Sequence, residues 1–83
     1  MQLADVARLA NTADGRAILE VAGQPAFELN RVAVSIWNKL AARLSTQEII
    51  AQIATEFQAP EERVAKDVAQ FIEVLKDRLL IYD

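Results

Sequence analysis

Apolar positions recur along this chain with two periods, and the change-over falls in one run, Phe27-Glu28-Leu29-Asn30-Arg31-Val32-Ala33-Val34-Ser35-Ile36-Trp37. Before Asn30 the apolar residues alternate, as on a half-buried strand. After it they fall at Val32, Ile36, Trp37, Leu40 and Leu44, the stripe of a helix. Asn is a favoured N-cap, because its side chain accepts from an otherwise unpaired first-turn N–H. The pattern therefore predicts a strand from Ala26 to Leu29 and a helix from Arg31 to about Arg43.

Upstream, Asp14-Gly15 is a hairpin signal between Val6/Leu9 and the alternating Ala17, Leu19 and Val21. Gly23-Gln24-Pro25 gives a second reversal. Pro25 suits an edge strand, since it cannot donate to a ladder. Gln2 to Ala10 reads either as a first strand or as an irregular lead-in. Little after Leu29 is available to pair with the last strand, which leaves one sheet edge open.

Downstream, Ser45-Thr46-Gln47-Glu48 is a capping box opening a helix with Ile49, Ile50, Ile53, Ala54 and Phe57 on one side. Ala59-Pro60 breaks the chain. Pro60 at the first helical position, followed by Glu61 and Glu62, starts a third helix, with the acids complementing its dipole. Its stripe is Val64, Val68, Phe71, Ile72 and Leu75, and the tail Leu79-Leu80-Ile81-Tyr82 returns along the core as an extended end. The fold class expected is α+β, winged helix-turn-helix-like: a small three-stranded antiparallel sheet followed by three helices. It is expected as one domain over residues 1–83.

Composition removes function classes. With 83 residues, no Cys and no His, the chain has no disulfide framework, no thiolate metal site and none of the commonest general base. Its two glycines, Gly15 and Gly23, fall in turns and form no phosphate loop. Catalysis is therefore not expected, nor is a cofactor or metal. The net charge is −3, and the third helix sets Arg63, Lys66, Lys76 and Arg78 against Glu61, Glu62, Asp67, Glu73 and Asp77. That balance argues against a duplex reader, the alternative that a winged-helix DNA-binding regulator represents, and against an anionic membrane surface. No apolar run approaches the ~20 residues that span a bilayer, and Met1 to Asp5 lack a basic n-region, so a cytoplasmic location is expected.

Several of these elements, in order, carry a family resemblance: Phe27-Glu28-Leu29-Asn30, Ala33, Ile36-Trp37, Thr46-Gln47-Glu48-Ile49-Ile50, and Asp67-Val68-Ala69-Gln70-Phe71-Ile72-Glu73-Val74-Leu75. The set resembles the PqqD-like family from about Val6 to Ile81. Ala42-Arg43 and Arg78 stand where that family usually has glycines. The resemblance implies a recognition element that captures the leader segment of a ribosomally made precursor peptide and delivers it to a tailoring enzyme. Ile36-Trp37 and the strand ending at Asn30 look more like the stand-alone element of lasso-peptide pathways, whose partner is a leader-cleaving cysteine peptidase. The quinone-cofactor protein, which partners a radical enzyme, is the near alternative.

An exposed strand edge suits that role, because an extended peptide can add to it as a further strand. The candidate peptide-binding residues are Gln24, Pro25, Ala26, Phe27 and Glu28 on the strand, with Val64, Asp67, Val68 and Phe71 on the third helix. Periodicity alone makes Phe27, Val68, Phe71 and Trp37 core residues first, and Arg63 with Asp67 a surface ion pair. The same open edge permits a homodimer.

Overall fold

The computed structural model describes residues 2–12 and 14–82. Its elements run β1 (Gln2–Leu3), β2 (Ala7–Asn11), β3 (Ala17–Val21), β4 (Gln24–Leu29), α1 (Arg31–Ala41), α2 (Thr46–Glu56), α3 (Glu61–Asp77) and β5 (Ile81–Tyr82). β2, β3 and β4 form an antiparallel meander, and β1 pairs with β5 in a separate two-stranded sheet. The expected sheet-then-helices order holds. The N-terminal segment resolves into two strands broken at Ala4–Val6, and the returning tail is the partner of the first.

Turn chemistry explains the meander. Ala22 and Gly23 both have positive φ, 53° and 82°, the signature of a two-residue type I′ turn whose twist matches the strands it joins. In the β2–β3 hairpin Gly15 has φ 85°, while Ala13 of this turn lies outside the described residues. Pairing of β3 with β4 shifts register between Leu19 and Glu20: Leu19 faces Phe27, Glu20 faces Pro25, and Ala26 has no partner. This is a β-bulge on an edge strand.

The sheet's inner face supplies Leu19 and Leu29 to a core completed by Ile36, Trp37 and Leu40 of α1, Ile49 and Ile53 of α2, and Val64, Val68, Ile72 and Leu75 of α3. Leu80 and Ile81 close it from the tail. Trp37 is buried as a core anchor. The caps are as the sequence dictates at two helices: the Asn30 side chain accepts from Ala33 N–H, and Ser45 with Glu48 forms the complete capping box. At α3, Pro60 is the N-cap itself with ψ 138°, so the helix starts at Glu61, one residue later than expected. The extended ψ keeps the proline ring out of the first turn.

All three helices end on a left-handed residue that is not glycine: Arg43, Gln58 and Leu79, with φ of 63°, 51° and 58°. A Cβ in that conformation costs roughly 1–2 kcal/mol, partly offset by the backbone entropy that glycine would lose. Gln58 is exposed and its side chain makes no recorded hydrogen bond, so Gln58→Gly should raise the unfolding midpoint by about 0.5–1 kcal/mol equivalent in urea denaturation.

One polar cluster fastens α1 to α2. The buried Ser35 hydroxyl donates to Glu56 Oε1 at 2.7 Å, and Lys39 Nζ donates to both, at 2.9 and 3.0 Å. The Ser35 hydrogen bond, more than Lys39, holds the Glu56 carboxyl below its ordinary pKa. A depressed carboxylate contributes stability above its unfolded pKa and loses it as pH falls through the folded value. Wild-type stability should therefore drop more steeply than that of Glu56→Gln as pH falls through and below the ordinary carboxylate range. Parallel slopes in denaturation series across that range would refute the cluster's role.

Candidate functional site

β4 lies at the rim of the meander, and among the described residues nothing pairs with its outer side. Which main-chain groups point outward follows from β3. Thr12 N–H donates to Arg16 O and Ala22 N–H to Val6 O, so the even-numbered residues of β3 turn their main-chain groups toward β2. The odd-numbered residues face β4, which makes Ala17–Leu29 and Leu19–Phe27 the hydrogen-bonded pairs. Glu28 therefore directs its N–H and C=O off the free edge. Pro25 brings no donor, and the bulge at Pro25–Ala26 interrupts the alternation there.

The Glu28 side chain does not obstruct this edge. It forms an ion pair with Arg16 across the sheet, between two half-exposed groups, which makes it a positioning contact of small energetic weight. Phe27 is half-buried against the core, while Gln24, Pro25 and Ala26 are exposed. The Arg78 guanidinium carbon lies 5.5 Å from the centre of the Phe27 ring, a cation–π contact joining β4 to the end of α3.

Beside this edge an open groove of about 420 Å³ runs between α1 and α3. Its α1 wall is Val32, Ala33 and Ile36, reached directly from Asn30 at the end of β4. Its α3 wall is Arg63, Asp67, Gln70, Phe71 and Val74. The helical period separates two adjacent stripes on α3. Val64, Val68, Ile72 and Leu75 face inward, whereas positions 63, 67, 70/71 and 74 face the groove.

This phase corrects two of the sequence-derived candidates. Asp67 and Phe71 line the groove, but Val64 and Val68 are 3% and 0% exposed and lie in the core. The groove is lined by the next stripe instead. The expected Arg63–Asp67 ion pair is also absent: among the described residues the ion pairs are Arg16–Glu28 and Lys39–Glu56. Asn30, Val32, Ala33, Arg63, Gln70 and Val74 are the groove residues that strand-centred reasoning passed over, while Ile36, 1% exposed, lines the groove from the core. Val74 carried a usable signal, being apolar yet outside the core stripe of α3, and it is 39% exposed. The described residues hold no cluster able to bind a metal ion, and no helix is long and apolar enough to cross a membrane.

Known proteins resemble this chain in sequence and fold. The family described as coenzyme PQQ synthesis protein D (PqqD) matches residues 15–81. The chain belongs to the PqqD family. A PqqA binding protein of Gluconobacter oxydans (strain 621H) is 36% identical over 61 residues, 74% of this chain, and the chain spans 64% of that protein's length. The solved structure of TbiB1 in complex with the TbiA(beta) leader peptide superimposes with a TM-score of 0.82 at 25% identity, covering 100% of both chains.

The two α3 stripes make opposite predictions. Val68→Ala should destabilise the PqqD-family domain by about 2–3 kcal/mol, through lost burial and the cavity left behind. Val74→Ser should change stability by no more than about 0.5 kcal/mol, as at other exposed positions. Urea denaturation of the two variants checks the assignment.

Proposed function

We propose that this chain binds the leader segment of a ribosomal precursor peptide, laid as an extra strand along β4, and delivers it to a partner tailoring enzyme. The observation that carries the reading is the free β4 edge running into an apolar groove, in a chain of the PqqD family whose fold matches a protein solved with a leader peptide. Peptide-contacting residues on this reading are Gln24, Pro25, Ala26, Phe27 and Glu28 on the strand, with Asp67 and Phe71 on α3. The partner we propose is a leader-cleaving cysteine peptidase of a lasso-peptide pathway. Support comes from Ile36-Trp37 and the strand ending at Asn30, together with the full-length likeness to TbiB1. Delivery to a radical enzyme is the second reading, favoured by the PqqA binding protein among its relatives. On either reading the chain works in the cytoplasm, as a domain without chemistry of its own.

Magnitudes decide how the two halves of the site divide the work. A main-chain hydrogen bond contributes roughly 1 kcal/mol net, and the bulge and Pro25 leave Glu28 as the regular donor–acceptor position of the edge. Association costs at least about 4 kcal/mol. Apolar side chains entering the groove must supply the surplus, at about 1.5–3 kcal/mol for each one fully buried. The edge sets register; the groove supplies affinity.

Glu28 gives a test that separates main chain from side chain. Glu28→Ala keeps the outward N–H and removes only the ion pair with Arg16. Glu28→Pro removes the N–H while leaving the inward ladder bonds at Phe27 and Leu29. A cognate leader peptide should slow exchange of the Glu28 amide, bind Glu28→Ala within about threefold of wild type, and bind Glu28→Pro at least tenfold more weakly. Processing by the enzyme pair should fall with Glu28→Pro through a raised apparent KM, since delivery acts on local substrate concentration. Unchanged Glu28 exchange on saturation with leader, or equal binding by both variants, would overturn strand addition.

A further inference from the structure

Arg78 stacks on Phe27 where β4 and α3 meet, one turn beyond Val74, the last α3 residue lining the groove. Among the described residues no carboxylate lies within ion-pair distance of it. Its planar fork of N–H donors is thus held against a ring beside the free edge and left uncommitted. A guanidinium positioned in this way loses less freedom on gripping a carboxylate than one swinging in solvent. Toward the other end of the same wall stand Asp67 and, one turn beyond it, Arg63, neither with an ionic partner among the described residues. Asp67 and Arg78 lie eleven residues apart on α3, about 16 Å at the helical rise. The apolar stretch at Phe71 and Val74 thus lies between Asp67 on one side and Arg78 on the other.

Resting on the leader-binding reading above, we infer that Arg78 is a specificity residue for an acidic side chain of the bound peptide, two positions from the peptide's apolar anchor. The spacing follows from geometry. Val74 and Arg78 are one helical turn apart, about 6 Å, and two residues of extended chain span about 6.6 Å with both side chains on the same face. An adjacent acidic residue would point away from α3. On the other side of the anchor the first charge met is Asp67, with Arg63 a turn beyond, so an acidic residue two positions away on that side is repelled and the peptide's direction is selected. Phe27 lies beside Arg78, and Asn30, further along the chain, lines the groove. A strand antiparallel to β4 therefore presents apolar-x-acidic from N to C, and a parallel strand presents the reverse.

The test uses the full chain with blocked, fluorescein-labelled twelve-residue peptides on one Ser/Thr/Ala background. They carry Leu-x-Glu, Glu-x-Leu, Leu-x-Gln, Gln-x-Leu, Leu-x-Lys or Lys-x-Leu at the centre. Anisotropy gives affinity, and Glu28 amide exchange reports edge occupancy. One of the two Glu peptides should bind at least fivefold tighter than its Gln counterpart, and its Lys counterpart more weakly still. Arg78→Gln should abolish the Glu preference while leaving affinity for the Gln peptide within about twofold. Arg78→Glu should shift the preference to Lys, and circular dichroism of both variants controls for folding. Equal affinity of Glu and Gln peptides with the Glu28 amide protected would overturn the Arg78 assignment alone. Failure of every peptide to bind or to protect Glu28 would overturn it together with the leader-binding reading.

Discussion

The joint at Leu29–Asn30 sets the geometry of the whole site. Leu29 is buried, and Asn30 opens α1 by accepting from Ala33 N–H with its side chain and from Val34 N–H with its main-chain oxygen. With no intervening loop, strand and helix share one rigid corner. The outer edge of β4 then leads straight into the wall made by Val32, Ala33 and Ile36. A flexible connection would have left the edge and groove free to move apart, at a further ordering cost to any ligand engaging both. Preorganisation at this corner makes their contributions add.

Two further ties hold the corner in place. Arg31, the first residue of α1, donates from Nε to the Asp14 carbonyl at 2.8 Å, fixing the β2–β3 turn to the helix start. That turn packs so closely that a Cβ on Gly15 would meet Arg31 Nε at 3.3 Å, and φ of 85° there independently favours glycine. Arg16 reaches across the sheet to Glu28. Both contacts are exposed and individually weak. They draw side chains onto the sheet face or toward the turn, leaving the rim of β4 to its main chain.

Much of this fold was legible in the sequence because local chemistry and hydrophobic period agree. The Asn30 cap, the Ser45–Glu48 box, the Asp14-Gly15 and Gly23 turns, and the exposed edge implied by Pro25 all carry their meaning within a few residues. The break between β1 and β2 was not legible, because β1 exists by pairing with β5, some eighty residues away in sequence. The site was half legible. Edge residues follow from the strand, but which apolar face of α3 lines a groove depends on how α3 is rotated against α1. A stripe of Val64 and Val68 reads the same whether it meets core or ligand; only the packing of α2 against α3 assigns it to the core.

The helix ends show where this chain departs from a purely stabilising solution. Left-handed positions at Arg43, Gln58 and Leu79 are each occupied by a residue with a Cβ, although glycine would fit at lower steric cost. Just before Leu79, a glycine at position 78 would leave the Phe27 ring uncovered. Side chains at helix termini are the ones that can be changed without disturbing a core stripe, since they project beyond the packed turns. Specificity written there is separable from stability. In this chain the fold rests on Leu29, Ile36 and Val68, while the charges on and just beyond the groove wall rest on Arg63, Asp67 and Arg78, which the core does not use. A domain divided in this way can change its surface charges while its core stays the same.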